Sequence, residues 1–364
     1  MRPLDQVEIF ELASAYAMAI KESLEKAWYD ASGVSLSISF STEPYLDAWA
    51  AVRPRNGPPT NHEIVLSYKL VEEIYGAALE YARFAHGRKG ETHPLGLQMV
   101  PESFDMLAAA KFMFESGVIF VIFHELGHIN QDHGSIRSGY SANHLISTVV
   151  NEFSINDGKR LSGDLASIYH ATEMAADFEA LDWMSTSLAA QFKGVDFIER
   201  AYLQSAIVSA IMLIFNGDNP PQLDRQPAGS HPYPWLRMDL WAQAYSERTR
   251  VLSNSLMIDT ATDVRKTFMD AAYLATLSWM TRYQLTGVYE YERFVSGPMS
   301  HENYSEYMRA VVNVWTAEYR HARSARKYGF PFSVPYYTDE LRAKVGAVKN
   351  VESFADHVRE SCRF

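Results

Sequence analysis

A chain of 364 residues in which 47% are hydrophobic and 21% charged has ample apolar surface for a sizeable core, which excludes intrinsic disorder. A formal net charge of -11 argues against a nucleic-acid partner, which would demand a basic face, and favours a protein or peptide one. The single cysteine, Cys362, excludes an intramolecular disulfide, so the fold does not depend on an oxidising compartment.

The N-terminal stretch carries acids from Asp5 onward and lacks the uninterrupted apolar run of a signal peptide. It reads as an amphipathic helix over residues 5–28. Residues 34–40 (VSLSISF) alternate with period two and predict a strand. A connection containing Pro54, Gly57, Pro58 and Pro59 reads as a long surface loop, and residues 62–67 (HEIVLS) as a second, shorter strand. Helical spacing then predicts helices over 69–84, with a stop at 87–90, and over 103–132, as one helix or two joined near Gly117. Gly134 marks the expected end of the latter.

Further helices are expected at 165–192, 198–215, 237–246, 263–285 and 301–328, with a Pro- and Gly-rich loop over 216–233. The apolar runs 118–123 and 206–215 fall short of the roughly 18–20 residues that cross a bilayer, so both read as buried core, with no membrane partner and a cytoplasmic location. The fold class is mainly α with a small N-terminal β-sheet (α+β), divided into residues 1–240 and a helical region 241–364 packed on the same domain.

Residues 123–128 (FHELGH) carry the chemistry. On a helix His124 and His128 stand one turn apart, about 40° from each other, and can present imidazole nitrogens to one metal ion. Glu125 lies about 100° round from His124, placed to contact a water on that ion without coordinating it. This is the HExxH pattern. Its helix is strongly apolar (VIFVIFHELGHI), and polar groups buried there need partners. Satisfied core histidines beside a buried acid are the plain alternative.

Two histidines leave a zinc site short of a third protein ligand. His133, nine residues after His124, would face the opposite side of a continuing helix, and reads as a helix-end residue. The extended metzincin pattern is absent, because Gln131 and Gly134 stand where it needs Gly and His. Glu173, in TEMAAD (172–177), is the better candidate, with Asp177 one turn on to hydrogen-bond the free nitrogen of His124 or His128. His170 is its rival, and a solvated acidic face with Glu179 and Asp182 is the plain reading. In SHPYPWLR (230–237), His231 on a proline-stiffened loop can donate to an oxyanion, and an arginine nearby can balance the site's carboxylates.

HELGH, then E-x-x-A-D as residues 173–177, then HP followed by Arg237, resembles the gluzincin-type peptidases related to CAAX prenyl proteases and HtpX-like proteases. FHELGHI and EMAADFEAL are similar to the Lit-type phage-exclusion peptidases. The resemblance spans residues 118–237. It implies a zincin-like helical catalytic domain in which His124, His128 and Glu173 bind one zinc ion and Glu125 is the general base. It further implies that Asp177 orients a ligand, His231 stabilises the transition state and Arg237 contacts the carboxylates. It also implies an N-terminal strand bordering the cleft, for which residues 62–67 are the candidate to take a substrate as an added strand. The prenyl-protease and HtpX-like members have membrane spans, so their membrane substrates are not carried over. The expected activity is zinc-dependent endopeptidase action on a protein or peptide. The alternatives are a catalytically silent or partner-activated metal-binding protein on the same fold, and iron, cobalt or manganese in place of zinc.

Overall fold

The computed structural model describes residues 2–54, 60–88, 104–141, 149–151, 161–216, 223–258, 264–284, 298–326, 328 and 333–350. Cys362, the loop residues 55–59, Gly90 and residues 217–222 of the second loop lie outside them.

Helix α1 (Gln6–Leu24) starts at Asp5, whose carboxylate accepts from Glu8 N while Glu8 reaches back to Asp5 N, a reciprocal cap that satisfies both donors. The helix continues through a π-helical turn, Glu25–Tyr29, and ends near Gly33 at φ 69°. Among the described residues four strands form a sheet in the order β1-β3-β2-β4: β1 (Ser35–Ser41), β2 (Ala48–Pro54), β3 (Thr60–Ser67) and β4 (Val149–Asn151). β3 pairs in parallel with β1 and antiparallel with β2, so Ile64 faces Ile38 on one side and Ala50 on the other.

That register overturns one expectation. Residues 62–67 cannot take an added substrate strand, because both edges of β3 are already engaged in ladders; the strands at the sheet's edges are β1 and β4. The sequence hid β2, since AWAAVRP does not alternate.

β3 runs straight into α2 (Tyr68–His86), with the Ser67 hydroxyl accepting from Leu70 N at 3.1 Å as its cap. Further helices among the described residues include α3 (Met106–Asn130), α4 (His133–Gly139), α5 (Gly163–Gln191), α6 (Gly194–Asn216), α7 (Pro234–Leu256), α8 (Val264–Arg282), α9 (Tyr304–Ala325) and α10 (Asp339–Val345). The protein is thus mainly helical with a small sheet. α7 runs without a break across position 240.

α3 is the hub. It packs on α2, α5, α6, α1 and β2, and such enclosure is why it is apolar all round rather than along one stripe. The apolar runs noted in the sequence belong to helices of 25 and 23 residues, α3 and α6, both long and apolar enough to cross a bilayer; here both are mostly buried inside the protein. Gly117 does not divide α3. A Cβ there would lie 2.6 Å from Ile74 Cγ2 and 3.1 Å from side-chain atoms of Ile207 and Ile211, so the glycine lets α2 and α6 close on α3.

Among the described residues, the buried apolar side chains form two clusters. The larger draws on α1, the sheet, α2, α3, the C-terminal half of α5, α6, α7 and α8. The smaller joins Ile136 of α4, Ile168, Ala171, Met174 and Ala175 of α5, and much of α9 with Val334 and Tyr337. α5 belongs to both, and its change of allegiance falls between Ala175 and Ala180.

Replacing Gly117 by Ala separates packing from flexibility. Helix propensity alone would favour alanine by about 1 kcal/mol. Overpacking against Ile74 should outweigh it and lower the unfolding free energy by about 1–3 kcal/mol in denaturant titration. A more stable variant would contradict the close-packing role of Gly117.

Candidate metal centre

The last two turns of α3 bring His124 and His128 together on one face. Their rings lie 4.9 Å apart and nearly perpendicular, with the two Nε2 atoms 3.2 Å from each other. From α5, Glu173 places Oε2 3.3 Å from His124 Nε2 and Oε1 3.4 Å from His128 Nε2. One donor atom from each residue lies within 4.8 Å of the others, and each side chain is about 1% exposed. Two imidazoles and a carboxylate converging on one point fit a single divalent ion of the kind a His₂Glu set holds, and the donor types leave its identity open.

The approach of α5 to α3 depends on small residues. A Cβ at Gly127, inside the HELGH motif, would stand 2.9 Å from Glu179 Cβ and 3.0 Å from Ala176 Cα. Glycine at that position and the buried Ala175 and Ala176 opposite let a two-histidine helix and a carboxylate helix come within ligand distance.

A second layer holds the donors. His124 Nδ1 is 3.0 Å from Asp177 Oδ1, one turn after Glu173 on α5. Asp177 in turn accepts two bonds from Arg237 of α7, from Nε and Nη2, both at 2.7 Å. Burial alone would raise the Asp177 carboxyl, but the Arg237 guanidinium, helped by His124, outweighs it and keeps it below the usual carboxylate range. On the other side, His128 Nδ1 meets His133 Nδ1 at 2.8 Å, and Arg137 donates to Glu173 Oε1. Glu125 is fully buried next to His124 in the chain.

His133 corrects the sequence reading. α3 ends at Asn130, and Asp132 adopts the left-handed conformation at φ 54°, so the chain leaves the helical path before His133. A new helix, α4, then turns His133 toward the site instead of away from it, and Gly134 lies inside α4 rather than marking a helix end. Arg137 was not foreseen. The signal was there in outline: if a helix restarts after Asp132, positions 133 and 137 share one face.

The rival third ligand, His170, lies outside the donor group. Its Nδ1 pairs with the Tyr307 hydroxyl, and burial, helped by neighbouring His231, pushes its pKa down to about 3, so the ring is neutral. His231 has Nδ1 2.8 Å from Ser230 Oγ on the loop before α7.

Glu179 and Asp182 do not form a solvated face, since both are buried. Glu179 accepts from Asn130 at 3.1 Å and Gln131 at 3.1 Å and pairs with Arg326 at 3.4 Å, while Asp182 accepts from Ser333 at 2.7 Å. With Asn130 also donating to Tyr328 O, this network fastens the chain beyond α9 to the crossing of α3 and α5. Comparison of the chain with family models, with curated proteins and with solved structures returned no match in any of the three.

Burial pushes the Asp182 carboxyl up to about 6, against the pull of Arg248 and Ser333. A folded pKa above the unfolded one, roughly 3.9, favours folding when the group is protonated. That contribution is complete below about pH 4 and is lost as pH rises through about 6. Chemical denaturation of wild type and Asp182→Asn across this range should therefore show the wild type losing up to about 3 kcal/mol relative to the variant. A difference that does not change with pH contradicts the assignment.

Proposed function

We propose that the protein is a zinc-dependent endopeptidase of the gluzincin type, with His124, His128 and Glu173 as ligands and Glu125 as general base. The observation that carries the reading is the convergence of three buried donors from two helices, with the HExxH glutamate beside the first. A buried cluster of this kind is costly to assemble without a role, because each polar group must be taken out of water.

Zinc bound there would supply Lewis acidity toward a water and a scissile carbonyl. The chain's own residues do the rest. Glu125 takes the proton of the attacking water and passes it to the leaving amine. Asp177 fixes the tautomer of His124 by accepting at Nδ1, which leaves Nε2 with its lone pair for the ion. Arg237 holds Asp177 ionised for that task. His231 donates to the oxyanion of the tetrahedral intermediate. The substrate is a protein or peptide, and the cytoplasm is the proposed location.

Burial supports a further element of this reading, that the enzyme is latent. Glu125 is 0% exposed and both histidines are about 1%, so a peptide reaches them only after the surrounding residues rearrange. A partner or signal that opens the site would release chelator-sensitive cleavage. A metal-binding module without activity would never cleave, whatever partner is supplied.

Glu125→Gln is expected to retain bound metal and to lose hydrolysis by a factor of about 10²–10⁴. Metal content, and peptide cleavage under the opening condition in which the wild type is active, check both halves on the same preparation. Undiminished cleavage by metal-loaded Glu125→Gln would remove Glu125 as the base.

A further inference from the structure

We infer that Arg137, on α4, is the positioning residue for Glu173: it holds one carboxylate oxygen, Oε1, and leaves Oε2 as the donor to the ion. The inference rests on the proposed zinc site. Arg137 is 5% exposed, and α5 grips its guanidinium in three ways. Nε donates to Thr172 Oγ1 at 2.8 Å, Nη2 donates to Glu173 Oε1, and the guanidinium carbon lies 4.4 Å from the centroid of the Tyr169 ring. Thr172 is itself fixed, its hydroxyl directed back to the carbonyls of Ile168 and Tyr169, both at 2.9 Å.

Tyr169, Thr172 and Glu173 stand at i, i+3 and i+4, on one face of α5. They form a socket for a planar fork rather than for a point charge. A lysine ammonium can reach Glu173, but it cannot also bond Thr172 and lie flat on Tyr169.

The two carboxylate oxygens of Glu173 each face one imidazole, Oε2 toward His124 and Oε1 toward His128. With Oε1 engaged by a cation, a side chain otherwise able to chelate through both oxygens presents one. The guanidinium is a counter-charge for the buried carboxylate before any ion arrives. His133, one turn earlier on α4, meets His128 through Nδ1, so the same short helix aligns two of the three donors.

The test measures zinc affinity, by competition with a chromophoric chelator, and the visible spectrum of the cobalt-loaded protein. The proteins are wild type, Arg137→Ala, Arg137→Lys and Thr172→Val, with circular dichroism and thermal unfolding of each metal-free form as the folding control. Arg137→Ala and Arg137→Lys should each lose about 10–100-fold in zinc affinity. Thr172→Val, which removes the acceptor for Nε together with the hydroxyl's own bonds to the carbonyls of Ile168 and Tyr169, should lose about 3–10-fold. The cobalt bands of Arg137→Ala should also weaken as Glu173 coordinates through both oxygens and the coordination number rises.

Wild-type affinity and spectrum in Arg137→Ala, or a gain in affinity, overturns the inference. If that variant fails to fold, Thr172→Val decides: an unchanged affinity and spectrum overturns it equally. Failure of the zinc reading looks different, because the wild type then takes up neither ion and both proposals fall. Failure of the inference alone leaves wild-type binding intact.

Discussion

The close crossing of α3 and α5 at Gly127 and Ala176 is the constraint on which the rest of the centre depends. Two helices this near cannot accommodate a Cβ at position 127, and the motif supplies none. At that separation the imidazoles of α3 and the carboxylates of α5 are within hydrogen-bond and ligand distance. The crossing also lies where α5 passes from one apolar cluster to the other, so packing on both sides fixes its angle. The polar network of Asn130, Gln131, Glu179 and Arg326 sits one turn further on and secures the same crossing from the C-terminal side.

Charge balance follows from that burial. A carboxylate taken out of water without a partner costs on the order of several kcal/mol, and three of the buried acids near the centre are answered by arginines. Asp177 is answered by Arg237 from α7, Glu173 by Arg137 from α4, and Glu179 by Arg326 from beyond α9. The three arginines come from elements far apart in sequence. The charges that surround the donors are therefore supplied by α4, α7 and the chain after α9, not by the segment around HELGH.

The sequence announced what local periodicity controls and concealed what depends on a change of direction. Helix α3 was legible from its apolar run, and the pairing of His124 with His128 from spacing alone. Glu173 was legible as the better candidate to complete a ligand set, with His170 as its rival; the fold pairs His170 with Tyr307 instead. His133 faces away from the site only on a helix that continues past Asn130, and α3 does not continue. One left-handed residue, Asp132, redirected the chain and reversed the conclusion. β2 was illegible because three alanines and a tryptophan carry no alternation, and its discovery made β3 a central strand rather than a docking edge. Glu179 and Asp182 resembled a solvated face because their partners, Arg326 and Ser333, lie roughly 150 residues away along the chain.

The central claim is a metal held by two histidines of α3 and one glutamate of α5. Elemental analysis of purified wild type, Glu173→Ala and His170→Ala, each dialysed against the same zinc buffer, tests it most directly. The account predicts one zinc per chain in wild type and in His170→Ala, and loss of the metal in Glu173→Ala. Full zinc in Glu173→Ala, with loss in His170→Ala, would contradict it.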